Sequence, residues 1–431
     1  MFEQSVSFTI QNGLDFPLPN MVRIQQHFND TRIDDPEKAV IEALSGIHLP
    51  NLQGKRVGIT AGSRRLDNLP IILGAMARFL RSRGAYPFVI PAMGSHGGAC
   101  AEGQSQLLAD LGITEKTVDM PIISNMEVEA VGSYNDGAPI VCSKTARDAD
   151  YVIACARVKA HTSIKGNVES GLCKMLTVGL GKHIGAANFH RHGYDRLAEI
   201  LPDAAAIQIK NLRVLCGVAL VENAYDQTMR IEAISPEQII SREAELLKLS
   251  KKNMPHFLLD DIDVLVIDRM GKDISGAGMD PNITGRAITP LPMKAQTPIR
   301  TIVALHLTEA SHGNATGIGG ADITTRRVVD SIDLNATYTN AFTSGALAAV
   351  KIPVVLDNDE SAIRVAIRCT PRESLSDVKI VHIQDTLHLG EIDISENYLQ
   401  KLQGRPDIRV VGASPFHFDC GGWLIPPWTK R

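Results

Sequence analysis

The sequence predicts an α/β protein of two domains, each with a mostly parallel sheet, and an active-site cleft between them. Short apolar runs rich in β-branched residues recur along the chain, and stretches with helical periodicity separate them. Strands that are apolar on both faces are typical of a parallel sheet covered by helices. The chain has 431 residues, and a single hydrophobic core seldom grows to that size. These observations together predict two α/β domains.

Apolar runs in the first part of the chain predict strands at residues 55–60, 86–91, 151–158 and 214–221. An amphipathic helix is predicted over residues 69–83, because Asp67 and Asn68 can cap it and Pro70 suits its first turn. A second helix is predicted over residues 235–250, which begin with Ser-Pro-Glu-Gln, the spacing of a capping box. This alternation of strands and helices is the pattern of a parallel sheet.

A domain boundary is predicted near residue 260, because residues 248–255 are polar and end in proline. Residues 1–260 would form a cofactor-binding α/β domain, and residues 261–431 would form a C-terminal α/β domain that closes the cleft. In this second domain, strands are predicted at residues 262–268, 301–307 and 378–383. A hairpin is predicted over residues 352–368.

The composition excludes several classes of protein. The 44 Lys and Arg residues against 48 Asp and Glu give a net charge of −4, without the basic excess of a bulk nucleic-acid binder. A content of 44% hydrophobic and 21% charged residues is typical of a globular chain. The seven cysteines are odd in number and lack a CxxC pair, which favours reduced thiols. With no signal peptide and no long apolar run in the sequence, we expect a cytoplasmic protein that binds neither membrane nor nucleic acid.

Four glycine-rich loops follow predicted strands, where α/β proteins bind their ligands. They cover residues 60–65, 92–99, 158–190 and 271–286. In the first, Ser63 and Arg64 precede a helix N-terminus, which favours an anion such as phosphate. An ordinary turn with solvated arginines remains the alternative, since no GxGxxG pattern is present. In the second, glycines surround His96, and an accessible histidine can act as an acid or base near neutral pH. An inert loop histidine is the alternative there.

The third loop is the richest in lysine and histidine. Its basic residues are His161, Lys165, Lys174, Lys182, His183 and His190. A lysine in a partly desolvated loop can lose its proton and become a nucleophile, and a single histidine can be a metal ligand. The spacing matches no HExxH or similar zinc pattern, so a metal site made by the protein alone is not predicted. The alternative is a basic surface that binds phosphate or faces water.

In order and content, these loops resemble the nickel-dependent lactate racemase family of 2-hydroxyacid racemases and epimerases, over roughly residues 50–330. In that family a nickel-pincer nucleotide lies between two α/β domains and is tethered through a lysine. The cofactor is the nickel complex of pyridinium-3-thioamide-5-thiocarboxylic acid mononucleotide. The resemblance implies an isomerase that inverts the 2-carbon of a hydroxy acid by hydride transfer.

The resemblance also implies roles for particular residues. Ala61-Gly-Ser-Arg64 is similar to the family's Asp-x-Thr-Arg segment, so Ser63 and Arg64 would hold the cofactor phosphate. Gly94-Ser-His96 is similar to a loop with a catalytic histidine, and His161 resembles the second one. His96 and His161 would therefore be the acid/base pair.

Two further segments resemble the family's cofactor attachment and nickel site. Gly171-Leu-Cys-Lys174 is similar to the Gly-Gly-x-Lys segment whose lysine forms a covalent thioamide link. Asn188-Phe-His190 resembles the segment with the nickel-ligand histidine, sixteen residues later as in the family. Lys174 would therefore carry the cofactor, and His190 would bind both the cofactor and its metal.

The chain departs from the family near the substrate. Ala61 stands where the family has an acidic residue, and the step from His161 to Lys174 is longer. Residues 280–282 resemble the start of a loop whose later Tyr-Gln and Lys hold lactate, but those residues are missing here. Arg286 is the expected replacement, with Asn282 as a second substrate-binding residue. A larger or more polar 2-hydroxy acid than lactate is therefore expected.

Two other functions remain open from the residues alone. One is a nicotinamide-dependent hydroxyacid dehydrogenase, although no GxGxxG with a later acidic residue follows a strand. The other is a non-catalytic cleft protein that binds a sugar acid or nucleotide. Besides the small-molecule substrate, cofactor-synthesis proteins are the expected partners, and a homo-oligomer is left open.

Overall fold

The computed structural model of the protein describes residues 9–10 and 13–428. Strands and helices alternate over most of this part of the chain. The strands are β1 (Met21–Gln26), β2 (Arg56–Ala61), β3 (Tyr86–Pro91), β4 (Val128–Ser133), β5 (Pro139–Ser143), β6 (Tyr151–Arg157), β7 (Val214–Glu222), β8 (Thr228–Ile234), β9 (Ile262–Met270), β10 (Ile299–Leu307), β11 (Ile323–Thr325), β12 (Val354–Leu356), β13 (Ile380–Ile383), β14 (Glu391–Ser395) and β15 (Ile408–Ala413).

The helices connect these strands. They are α1 (Pro36–Ser45), α2 (Leu69–Ser82), α3 (Ala101–Asp110), α4 (Glu115–Val118), α5 (Lys144–Arg147), α6 (Leu172–Lys174), α7 (Lys182–His190), α8 (Tyr194–Asn211), α9 (Ile239–Lys252), α10 (Pro281–Thr284), α11 (Arg326–Asp330), α12 (Leu334–Ser344), α13 (Asp359–Arg368) and α14 (Leu399–Leu402). A π-helical segment, Met175–Gly179, follows α6. Within the described residues, no helix has both the length and the apolar character needed to cross a membrane.

The chain forms two compact units. One unit contains residues Asn29–Met254, and the other contains the described residues up to Phe28 together with those from Pro255 onward. The predicted domain of residues 1–260 is therefore corrected at both ends. Strand β1 pairs with β14 and β15, so its backbone hydrogen bonds belong to the second unit. Gln26 strengthens this assignment, because its buried amide donates to the Leu389 carbonyl at 2.7 Å.

The unit of Asn29–Met254 is built on a five-stranded sheet of order β3-β2-β6-β7-β8. All of its strand pairs are parallel except β7 with β8, which confirms the predicted mostly parallel sheet. Every residue of β7 is buried. Val218 packs in a cluster with α1 and α2, whereas the next residue, Ala219, packs in a cluster with α8 and α9. Because successive strand residues face opposite sides, helices cover both faces of this sheet.

The second unit has an eight-stranded mixed sheet of order β12-β11-β10-β9-β13-β14-β1-β15. The strands from β12 to β13 are parallel, and those from β13 to β15 are antiparallel. The strands predicted at 262–268, 301–307 and 378–383 are confirmed as β9, β10 and β13.

The hairpin predicted over residues 352–368 was wrong, because helix α13 follows the short strand β12. The Asn358 side chain caps this helix by accepting a hydrogen bond from the Ser361 amide at 2.9 Å. Ile363 and Ile367 are four residues apart and both fully buried, which is helical rather than strand spacing. A β-branched run therefore lies in a helix here because its buried positions repeat every turn.

Candidate functional site

The candidate site lies at the carboxyl ends of β2, β3 and β6, which are adjacent and parallel in the unit of Asn29–Met254. Ala61 and Pro91, the last residues of β2 and β3, are paired in register. Three of the four glycine-rich loops begin at these ends. The loops must therefore come together at one edge of the sheet, where ligands bind in such folds.

The segment after β6 packs closely on the two other loops. A Cβ atom added to Gly62 would lie 3.2 Å from the Met175 side chain. A Cβ atom on Gly179 would lie 2.7 Å from the Ala92 carbonyl oxygen, which is too close for any side chain. Gly94 has a φ of 59°, a left-handed conformation that glycine adopts without strain. These glycines allow the three loops to meet, so the residues beside them share one region.

Lys174 is the last residue of α6, directly before the π-helical segment Met175–Gly179. Such π segments are rare and often occur at functional sites. The carboxylate of Glu243 anchors this helix, because it accepts a hydrogen bond from the Cys173 amide at 2.7 Å. Burial raises the pKa of Glu243 to about 7. Glu243, 70 residues away along the chain, thus helps to fix the position of Lys174.

The amine of Lys174 lies against the His161 ring, with 2.5 Å between Nζ and Nε2. Burial lowers the pKa of Lys174 to about 7, and the charges of Arg64 and Lys159 add to the effect. The pKa of His161 is well below its usual range, first because of burial and then because of Lys174 and the other nearby cations. Both side chains remain partly exposed. A fraction of Lys174 is therefore unprotonated at neutral pH, the form that can act as a nucleophile.

Backbone contacts fix the His161 ring from its other side. Nδ1 accepts hydrogen bonds from the amides of Ser163 and Ile164, each at 2.9 Å. The His161 amide donates to the fully buried carboxylate of Glu169 at 2.7 Å. Glu169 also pairs with Lys251 at 2.7 Å. Both the backbone and the ring of His161 are thus held in place.

His190, at the end of α7, has a buried Nδ1 atom with no hydrogen-bond partner among the described residues. Burial lowers the pKa of His190 to about 4, and the charge of Lys174 contributes. The ring packs edge-on against Phe189, with 5.6 Å between centroids. The imidazole is therefore neutral at neutral pH, which is the form that binds metals. A buried polar atom without a partner is uncommon, and an external ligand would satisfy it.

His96 is exposed. It contacts Ser63, which lies at the same edge of the sheet. Its Nδ1 atom lies 2.5 Å from the Ser63 hydroxyl. Arg64, the next residue, reaches solvent while protein surrounds much of its side chain. This partial removal from water lowers the pKa of Arg64, and the charge of Arg157 adds to the effect. The structure thus brings the predicted phosphate-binding pair next to one predicted catalytic histidine.

A buried lysine and glutamine support the His96 loop, and sequence reasoning assigned neither a role. Lys182 is fully buried, and its Nζ donates to the Pro91 carbonyl at 2.7 Å and to Gln104 at 2.9 Å. Gln104 in turn donates to the carbonyls of Gly94 at 2.9 Å and His96 at 3.3 Å. Burial lowers the pKa of Lys182 to about 8. Lys182 and Gln104 therefore tie both ends of the His96 loop together.

Lys182 also has an unusual backbone. Its φ is 55°, in the left-handed region that few residues other than glycine adopt. Such strain persists only where the surrounding structure enforces it, and it concentrates at functional sites. The only signal in the sequence was a lysine directly after the glycine-rich run Gly179-Leu-Gly181.

The predicted substrate-binding residues lie in the second unit and contact their own neighbours. Arg286 pairs with Asp322 at 2.7 Å and donates to the Arg300 carbonyl at 2.6 Å. The amide of Asn282 donates to Asp280 at 2.8 Å. A substrate carboxylate would have to compete with Asp322 for Arg286. The role of Arg286 and Asn282 in substrate binding stays a prediction.

The described residues contain no group of three or more His, Cys, Asp or Glu side chains placed to hold a metal ion. His190 could therefore contribute one ligand to a metal that is held mainly by other groups. Its neutral ring and unpaired Nδ1 fit a metal that receives its other ligands from a bound cofactor. A pincer nucleotide brings two sulfur atoms and a carbon, so the donor set that the chain offers is compatible with it.

No protein-family model matches the chain, and no curated protein matches it. Several solved structures are similar to it, including the following two. A Thermotoga maritima protein is 14% identical, with a TM-score of 0.47 over 65% of this chain and 73% of that one. The lactate racemase apoprotein of Thermoanaerobacterium thermosaccharolyticum is 12% identical, with a TM-score of 0.47 over 90% of this chain and 96% of that one. At these values the similarities assign neither a family nor an activity.

Proposed function

We propose that the protein is a racemase or epimerase that inverts the 2-carbon of a 2-hydroxy acid other than lactate, with a nickel-pincer nucleotide as cofactor. One observation carries the proposal: Lys174, with a pKa of about 7, helps to lower the pKa of His190, whose buried Nδ1 has no hydrogen-bond partner among the described residues. Without a ligand, neither the lowered pKa of the lysine nor the unpaired nitrogen of the histidine would stabilise the protein. A cofactor that is attached through an amine and carries a metal would use both.

The residues at the strand ends suit the parts of this cofactor. Lys174 would attach it, and the His190 imidazole would complete the nickel coordination. Ser63 and Arg64 precede α2, so they would hold the phosphate where backbone amides favour anions. When bound, the cofactor would supply a centre that accepts a hydride and returns it.

The chain itself would handle the protons. Removal of the 2-hydrogen as hydride avoids a carbanion beside the carboxylate, but the hydroxyl proton must then leave the oxygen. The Ser63 contact at Nδ1 orients the His96 ring, so proton transfer would take place at Nε2. His161 presents its own Nε2 beside Lys174. Two histidines with oriented rings are what inversion at one carbon requires.

Recognition of the acid group would rely on positive charge. Arg64, Lys159 and Lys165 surround Lys174 or His161 closely enough to lower their pKa values. An anionic ligand would relieve this repulsion, so its binding would be favoured. Arg286 and Asn282 of the second unit are proposed to bind the polar end of the substrate.

The proposal is tested on protein produced together with the cofactor-synthesis machinery. We expect nickel in elemental analysis, an added mass in intact-mass spectrometry, and inversion of at least one acid in a chiral panel of 2-hydroxy acids. Lys174→Ala should lose the added mass, whereas Lys165→Ala should keep it. A wild-type protein without nickel or inversion would overturn the proposal, and binding of sugar acids or nucleotides alone would indicate a non-catalytic pocket.

A further inference from the structure

The hydrogen bonds of His161 determine which of its nitrogens carries the proton. Nδ1 faces two backbone amides, those of Ser163 and Ile164, each at 2.9 Å. An amide N–H can only donate, so Nδ1 must accept with its lone pair. A neutral imidazole has one N–H, and that proton is therefore on Nε2.

This tautomer constrains Lys174 in turn. The Nε2–H of His161 faces Lys174 Nζ, which lies 2.5 Å away. An ammonium group has three donors and no lone pair, so it cannot accept this bond. The contact is satisfied only when Lys174 is a neutral amine.

The charged groups around the pair favour the same state. Arg64 after β2 and Lys159 after β6 repel a proton on Lys174, and Lys159, Lys165, Lys174 and His190 repel a second proton on His161. Glu169, a neighbouring carboxylate, is engaged by Lys165, Lys251 and the His161 amide. Burial lowers the pKa of both side chains, to about 7 for Lys174.

We propose that His161 is a fixed, neutral Nε2–H donor in the cofactor-free protein and that its hydrogen bond holds Lys174 as a free amine. The use of this free amine, but not its existence, rests on the proposed function, because a cofactor can acylate only the unprotonated amine. It adds that His161 has no lone pair on Nε2 in this state. In the cofactor-free protein His161 therefore acts at Nε2 as a hydrogen-bond donor and not as a proton acceptor.

The tautomer is tested by nitrogen NMR on cofactor-free protein labelled with ¹⁵N histidine. The signals of His161 are identified by their loss in His161→Gln. We expect an unprotonated Nδ1 and a protonated Nε2 from mildly acidic to mildly basic pH. The opposite tautomer, or an imidazolium at neutral pH, would overturn the proposal.

The state of Lys174 is tested by competitive acylation with acetic anhydride, read by peptide mass spectrometry. Lys401, whose side chain is 61% exposed, is the internal reference. We expect Lys174 to react at neutral pH and His161→Gln to slow it by about tenfold, since each unit of pKa changes the free-amine fraction tenfold. An unchanged rate in His161→Gln would contradict the proposal.

A matched pair of variants isolates the backbone contact. Ser163→Ala keeps the amide and should leave Lys174 acylation unchanged, whereas Ser163→Pro removes one donor to Nδ1 and should slow it. Circular dichroism checks that each variant folds. If Ser163→Pro does not fold, the NMR result and His161→Gln decide. Because all these measurements use cofactor-free protein, they can fail or succeed independently of nickel binding and racemisation.

Discussion

Among the individual residues of the site, His190 is the one that calls for an external ligand, because its buried Nδ1 has no hydrogen-bond partner among the described residues. Leaving a buried polar group without a hydrogen bond costs about 1–3 kcal/mol. The fold tolerates this at His190 although the ring otherwise packs against aromatic neighbours. Proteins commonly give up stability in this way where a ligand will bind.

Replacement of His190 should therefore have opposite effects on stability and on metal binding. We expect His190→Leu to raise the free energy of unfolding of the cofactor-free protein by about 1 kcal/mol, because it removes the unpaired atom. The same variant should fail to retain nickel. Urea denaturation and elemental analysis measure the two effects. His183→Leu, at an exposed position of the same helix, is the control and should change neither. A loss of stability in His190→Leu would show that Nδ1 contributes to the fold.

His96 should be needed for catalysis but not for cofactor binding. General acid–base catalysis by a histidine contributes about 100-fold or more to a rate. We expect His96→Ala to lower kcat for inversion by at least that factor while nickel content stays at the wild-type level. Chiral chromatography of the product measures the rate. Inversion at the wild-type rate would exclude His96 as the proton-transfer residue.

At the scale of elements, the site depends on how α7 and α3 hold the loop after β3. Lys182 begins α7, and Gln104 lies in α3. Together they bind carbonyl groups at both ends of the His96 loop. The position of His96 is thus set by two helices that contact the backbone of its loop.

Loss of the Lys182 amine should displace His96. We expect Lys182→Met to lower kcat by about tenfold to a hundredfold with KM little changed, because small displacements of a catalytic group are costly. Nickel content should remain normal. Gln104→Ala should have the same effect, whereas Lys116→Met, at an exposed position, should have none. A change in KM alone would indicate that the loop binds substrate instead of positioning His96.

The elements around the site were predictable from sequence because their signals are local. The strands ending at Ala61, Pro91 and Arg157 each show as an apolar run that leads into a glycine-rich loop. The supporting contacts were not predictable, because they join distant residues. Glu243 lies 70 residues from Cys173 and Lys182 lies 78 residues from Gln104. No local pattern encodes such pairs, and the tautomer of His161 depends on a turn geometry that its sequence does not reveal.

At the scale of the molecule, a row of buried and partly buried charges crosses the sheet of the second unit. Arg23, Asp393 and His382 are register partners on β1, β14 and β13. Asp393 pairs with Arg23 at 2.7 Å, and Asp268 on β9 lies 2.6 Å from His382. Burial alone would lower the pKa of His382, but the carboxylates of Asp268 and Asp393 outweigh it and raise this pKa to about 9.

This row should make the second unit less stable at high pH. Since the folded pKa of His382 is raised above its usual value of about 6.5, its contribution is complete below about pH 6.5 and is lost as pH rises through about 9. The loss should be on the order of a few kcal/mol. It is measured as the difference in urea unfolding between wild type and His382→Gln across this range. A constant difference would mean that His382 does not change its proton in this window.

The separation of β1 from its partners has a consequence for synthesis of the protein. Strand β1 leaves the ribosome early, but β14 and β15 follow more than 360 residues later. The unit of Asn29–Met254 contains all of its own strands, so it can fold while the chain is still growing. Met21–Gln26 must meanwhile remain an unpaired strand, with Ile24 and Met21 exposed to other chains. Until those partner strands emerge, β1 is therefore a segment at which the growing polypeptide is prone to aggregate.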